Sequence, residues 1–162
     1  MGAIGLITWI LAAGFGLYLL AIWLIEYDKD FQAAAATRLP PPVLAGHVLV
    51  AAGGLVLWTS YLIWDVNSLA WYSVIALVLA ATLGLTMAIR WISVYRAKRA
   101  GEQLAARFIA APTGGHGYPV SRADVGPPER NFPLPVVITH GIFAVLTLTL
   151  VLLTALGVGG GS

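Results

Sequence analysis

The chain contains no cysteine. That excludes thiolate metal sites, iron–sulfur clusters and haem attached through thioethers, each of which needs that side chain. Charge is scarce as well. Asp, Glu, Lys and Arg make up 10% of the 162 residues, against about a quarter in a soluble domain. Nine Lys and Arg stand against seven Asp and Glu, too small an excess to suggest a nucleic-acid partner. No carboxylate falls inside a long apolar run; Glu26 and Asp65 lie at the ends of such runs, where solvation accounts for them. This argues against a carboxylate-driven proton pump or cation transporter. No Gly-rich phosphate loop and no hydrolase or transferase constellation is present.

What the chain does have is apolar length. Its hydrophobic fraction is 59%. Four runs stand out, over about 4–25, 43–64, 69–89 and 134–158. Each is near or above the roughly 20 residues that cross a hydrocarbon core of about 30 Å. Lipid offers no hydrogen bonds to the backbone, so such runs must be helices. The expected fold is an all-α, polytopic bundle of four transmembrane helices, one domain over 1–158. The first run has no preceding Lys or Arg and exceeds a signal-peptide core, so it is read as a retained span. The Gly/Ser tail 159–162 is expected to be flexible.

The links between the runs differ in kind. Asp65–Ser68 is a tight turn. Glu26–Pro42 is short and polar. The long link over 92–133 begins as a helix continuing from the third span, over Val94–Ala111, and turns irregular where Pro and Gly accumulate, over Pro112–Pro133. Every Lys and Arg lies in the first link, in the third, or beside it at Arg90. The positive-inside rule then places both chain ends outside and these two links in the cytoplasm. A composition rich in Ala, Gly, Val, Pro and Arg suggests a bacterial cytoplasmic (inner) membrane. The six Trp fall mostly near span ends, as an interfacial belt would. Small residues recur every four positions at Ala76, Ala80, Gly84 and Ala88, and at Ala12 and Gly16. They allow close helix approach within the bundle or to a second copy in a homodimer.

Spans two and four open alike, with Pro42-Val43-Leu44-Ala45-Gly46-His47 and Pro135-Val136-Val137-Ile138-Thr139-His140. Proline favours the first turn of a helix. Each His then lies about 7 Å further along, at about 1.5 Å per residue. Both spans run in the same direction, so the two histidines share one depth. The halves of the chain, spans one-two and three-four, read as two similar hairpins about an axis along the membrane normal. In a bundle threaded in order, spans two and four lie diagonally, about 11–14 Å apart given neighbours at about 8–10 Å. A flat macrocycle between two imidazoles suits that distance. Ionisable side chains inside a membrane face the protein interior and mark function.

Around His47 the same helical face carries Ala51, Gly54 and Trp58. Around His140 it carries Gly141, Phe143, Ala144 and Thr147. Gly54 makes room and Phe143 can stack. Arg90 and Arg38 lie near the same surface, where guanidinium suits carboxylates such as haem propionates. The candidate site is therefore His47 and His140 as iron ligands, with Arg90, Arg38, Gly54 and Phe143 about a haem b. Two histidines that merely hydrogen-bond between helices are the alternative reading, with quinone or proton binding as a third.

In its four spans and paired His47 and His140, the chain resembles the membrane four-helix cytochromes b and the haem-anchoring subunits of respiratory oxidoreductases. The resemblance is one of architecture. It implies an electron-transfer component of an oxidoreductase, exchanging electrons with quinone or another membrane subunit. Those families often carry four His for two haems; here a second haem would need His116, in Gly114-Gly115-His116-Gly117-Tyr118 of the long link, which reads as a loop residue. The competing function is a non-catalytic accessory or assembly subunit of a larger membrane complex. A small channel or transporter would need a charged pore lining that the spans lack.

Overall fold

The computed structural model describes residues 1–27, 37–110 and 127–158, with the backbone alone at residue 105 and residues 107–110. Four α-helices, α1 (Gly2–Glu26), α2 (Pro41–Trp64), α3 (Asn67–Ala110) and α4 (Leu134–Ala155), form an all-helical bundle; a 3₁₀ turn, Pro128–Asn131, precedes α4. All four are long and apolar enough to cross a membrane. The protein is a four-helix membrane protein.

Proline sets two of the helix starts. Pro40 and Pro133 are the N-cap residues, in extended conformation, and Pro42 and Pro135 are the second residues of their helices. Each helix begins one residue earlier than the Pro-to-His spacing suggests, because a proline N-cap already holds the extended φ/ψ that precedes the first helical residue. The offset is the same in both, so His47 and His140 remain equivalent, six residues past their helix starts. Between α2 and α3 only Asp65 and Val66 intervene. Asp65 adopts the left-handed conformation at φ 53°, ψ 33° and its N–H closes on the Tyr61 carbonyl. Asp tolerates that region better than most side chains. The 44 residues of α3 reach about 66 Å at about 1.5 Å each, twice a hydrocarbon core. The helix therefore continues well past the membrane, as the sequence of the long link suggests. His116 and the rest of 111–126, residues 28–36 and the tail 159–162 lie outside the described residues.

The helices pair unequally. α2 packs most closely on α3 and α1 on α4; α3 and α4 touch less, α1 and α2 least, and α2 and α4 are diagonal. Each tight pair thus takes one helix from each half of the chain. The core centres on Trp9, Trp58, Val74, Leu77 and Val151, away from the histidines. Trp58 and Val151 are wholly buried. Gly54 is what permits this: a Cβ there would stand 2.9 Å from the Ala76 Cβ and 3.1 Å from the Trp9 ring. The expected tryptophan belt needs correction. Trp9, Trp23, Trp58 and Trp91 are buried and only Trp64 and Trp71 are exposed. Apolar packing gains little over lipid contact in a bilayer, so tight van der Waals fit of large rings against small residues holds the helices instead.

Candidate functional site

The site lies between the two tight helix pairs. His47 on α2 and His140 on α4 face each other across the diagonal, with ring centroids 6.2 Å apart and planes crossed at 69°. Each ring is tied to the helix it packs on. The Nδ1–H of His47 donates to the Ala80 carbonyl on α3 at 2.9 Å, and the Nδ1–H of His140 donates to the Ala12 carbonyl on α1 at 2.8 Å. A carbonyl only accepts, so Nδ1 carries the proton in both rings and Nε2 keeps its lone pair in the neutral form. That is the tautomer of a metal-ligating imidazole whose second nitrogen is anchored by the protein.

Both rings sit on glycine. A Cβ at Gly84 would stand 3.1 Å from Cε1 of His47, and one at Gly16 would stand 3.0 Å from Cε1 of His140. Gly84 follows Ala80 by four residues and Gly16 follows Ala12 by four. One small residue offers its carbonyl and the next, a turn later, gives the ring its seat. The small-residue stripes of α1 and α3 are thus used inside the bundle. The signal extends further than the stripes: Ala12, Gly16, Trp23 and Tyr27 repeat as Ala80, Gly84, Trp91 and Tyr95 at identical spacing. The Trp23–Tyr27 rings stack at 4.3 Å and the Trp91–Tyr95 rings at 5.2 Å. His47 reaches into the second half of the chain and His140 into the first, so the two halves clasp each other reciprocally.

The other sequence candidates take varied positions. Phe143, one turn from His140, stacks on Phe15 at 6.0 Å, beside Gly16. Gly54 is filled by Trp9 and Ala76 and serves helix packing. Gly53 and Gly141 are exposed with open space around them, so the room at the rings comes from Gly16 and Gly84 on the opposing helices instead. Thr147 is buried and donates to the Thr8 hydroxyl at 3.0 Å, joining α4 to α1 below His140. Arg90 donates to the Arg38 carbonyl at 3.3 Å, so the two arginines meet at the proline end of the bundle. The Arg38 guanidinium turns away along α3 to the Ser93 hydroxyl, 3.0 Å distant.

Glu129 was not anticipated. Its side chain is fully buried in the 3₁₀ turn. One carboxylate oxygen accepts from the Arg38 N–H at 2.6 Å, the other from the Thr37 hydroxyl at 2.9 Å. Its own carbonyl accepts from Trp91 Nε1 at 3.1 Å. One residue therefore ties the entry to α2, the middle of α3 and the approach to α4. In the sequence it stands in a Pro-rich stretch with nothing to mark it.

The donor set can be tested against a metal. Two imidazoles 6.2 Å apart, each with Nδ1 carrying the proton, would offer their Nε2 atoms to a metal. Among the described residues no group of three or more His, Asp or Glu could hold a bare ion. Two nitrogens suffice where a macrocycle supplies four more. Compared with known protein families, with curated proteins and with solved structures, the chain matches none.

Proposed function

We propose that this protein is a haem b-binding electron-transfer protein or subunit of the bacterial cytoplasmic membrane, with His47 and His140 as axial ligands and both chain ends outside. The observation that carries the reading is the imidazole pair, 6.2 Å between centroids with each Nδ1 held by a backbone carbonyl of a different helix. Those hydrogen bonds use one nitrogen of each ring and leave Nε2 of both with its lone pair for a ligand.

The haem, when bound, supplies one-electron redox chemistry. The chain's residues do the rest. Ala80 and Ala12 fix the ring tautomers and, by hydrogen bonding, raise the basicity of the ligating nitrogens. Gly84 and Gly16 set how far each ring stands from its supporting helix. Phe143 and Phe15 wall the His140 side with apolar surface. Arg90 lies six residues beyond Gly84 towards the proline end, about 9 Å along the axis, where its guanidinium suits a propionate. A half-buried ligand pair within the apolar spans would pass electrons by outer-sphere transfer to a membrane partner such as a quinone or a neighbouring subunit.

The test is an absorption spectrum of the detergent-purified protein, oxidised and then reduced. The expected result is a Soret band with the sharp reduced bands of a six-coordinate low-spin haem b. His47→Ala and His140→Ala should each give a five-coordinate or empty site, equally, because the two ligands are equivalent in position. A protein expressed with ample haem that shows no Soret band, or a spectrum untouched by both substitutions, would sink the reading and leave an accessory subunit of a larger complex.

A further inference from the structure

At the proline end of the bundle, outside the histidine site, three cationic side chains from separate segments converge on one cleft. Arg38 comes from the approach to α2, Lys98 from the extension of α3 and Arg130 from the 3₁₀ turn. With Val94, Ala97, Gly101 and Pro127 they line a hollow of about 260 Å³. Guanidinium and ammonium groups brought to one concavity offer an anion several charged donors at once. The cations are also held in place. Arg38 donates to Ser93 at 3.0 Å, and Lys98 Nζ donates to the Arg130 carbonyl at 3.4 Å. Among the described residues no carboxylate lines the cleft: Glu129 is buried, its two oxygens engaged by Thr37 and by the Arg38 N–H.

Depth selects the ligand. Exposed large apolar side chains on α3 recur at short intervals as far as Ile89 and Ile92, which marks the lipid-facing surface; beyond them, among the described residues of the helix, Leu104 is the only such side chain exposed, among Arg96, Arg99 and Glu102. The cleft begins two residues after Ile92, at Val94, and runs to Gly101, within about 14 Å of Ile92 at about 1.5 Å per residue. That is the level of phospholipid phosphates. Basic pockets at such a level bind anionic head groups, and guanidinium pairs with phosphate in the bidentate manner. The lining is half apolar, through Val94, Ala97 and Pro127, which suits the glycerol and first acyl carbons below the phosphate.

We infer that the cleft formed by Arg38, Lys98 and Arg130 is a binding site for the phosphate of an anionic phospholipid head group. The site is independent of the histidine pair, so it stands or falls apart from the haem reading. The experiment uses the full chain, delipidated in detergent, with phosphatidylglycerol or phosphatidylcholine added back and bound lipid counted by native mass spectrometry. One phosphatidylglycerol should be retained per chain, at least tenfold more tightly than phosphatidylcholine. Lys98→Gln and Arg130→Gln should each weaken retention about fivefold or more. Arg96→Gln and Arg99→Gln, exposed cations on the same helix outside the cleft, should leave it unchanged. Circular dichroism and thermal unfolding of each variant confirm that the bundle is intact, and a variant that fails this check is replaced by Lys98→Met. Equal losses in all four Gln variants would show a diffuse basic surface and overturn the site. Equal retention of the two lipids, or displacement by millimolar inorganic phosphate, would overturn the lipid assignment.

Discussion

Gly16 and Gly84 do at the residue scale what no larger residue could. Each lies against the Nδ1–Cε1 edge of a histidine ring, and an added methyl would need the ring to give by a few tenths of an ångström. Overpacking of this kind costs about 1–3 kcal/mol. Gly16→Ala and Gly84→Ala should therefore keep a folded bundle while tilting the adjacent imidazole. Gly16→Leu and Gly84→Leu should lower the unfolding temperature in detergent and abolish the Soret band expected of the proposed haem. Gly53→Leu and Gly141→Leu, where nothing lies within 4 Å, should be neutral by both measures. If the four leucine variants behave alike, the glycines do not seat the rings. The histidines themselves were legible in the sequence, because proline fixes where a helix starts and the count from proline to His is the same twice. Their partners were harder to read. Which carbonyl a ring reaches depends on how helices rotate against one another, and no local pattern encodes that. Yet the spacing Ala-x3-Gly-x6-Trp-x3-Tyr occurs at Ala12 and again at Ala80, and a search for repeats among the odd-numbered spans would have found both seats.

At the scale of the element, the proline-rich segments before α2 and α4 act as one clasp rather than as two loops. Glu129 accepts from the Arg38 N–H and the Thr37 hydroxyl, and its carbonyl accepts from Trp91. Thr37 in turn lies 3.5 Å from Nε1 of Trp23 at the end of α1. All four helices meet there, within a turn or two of the level of the histidines. Removing the carboxylate leaves a backbone donor and a hydroxyl buried without their acceptor, which costs about 1–3 kcal/mol. Glu129→Ala should thus lower the unfolding temperature clearly. Glu129→Gln retains one acceptor for the Arg38 N–H, and its amide can donate to the Thr37 oxygen, so it should recover most of the loss. A Gln variant as unstable as the Ala variant would mean that charge, rather than the hydrogen bonds, holds the clasp. Helix existence and order were plain from hydropathy, and so was the outward extension of α3. The clasp was not, because a single Glu between Pro128 and Arg130 carries no periodic signal. The tryptophans misled for a related reason: a ring near the end of a span can face lipid or a neighbouring helix, and the neighbour claims Trp23 and Trp91.

Across the whole molecule, charge and packing point to one orientation. The basic residues of the described chain, Arg38, Arg90, Arg96, Lys98, Arg99, Arg107 and Arg130, all belong to the end where α1 finishes and α2 and α4 begin, or to the extension of α3 beyond it. The opposite end carries Asp65 alone between α2 and α3. The positive-inside bias acts through short loops near the spans, and here it is undivided. In the proposed orientation the proline end, the Glu129 clasp and the basic cleft face the cytoplasm and the Asp65 turn faces outside. The histidines, six residues past their helix starts, lie about 9 Å inside the proline end of α2 and α4, so electrons would reach the proposed haem from that side. The cysteine-free sequence makes the test clean, since a single introduced thiol is the only one to react. Val66→Cys, at an exposed position in the turn, should label with a membrane-impermeant maleimide on intact cells whose outer layers admit the reagent. Ala100→Cys, exposed on the α3 extension, should label only after the membrane is opened. Labelling of Ala100→Cys from outside, with Val66→Cys protected, would overturn the proposed orientation and place the histidine pair nearer the outer face.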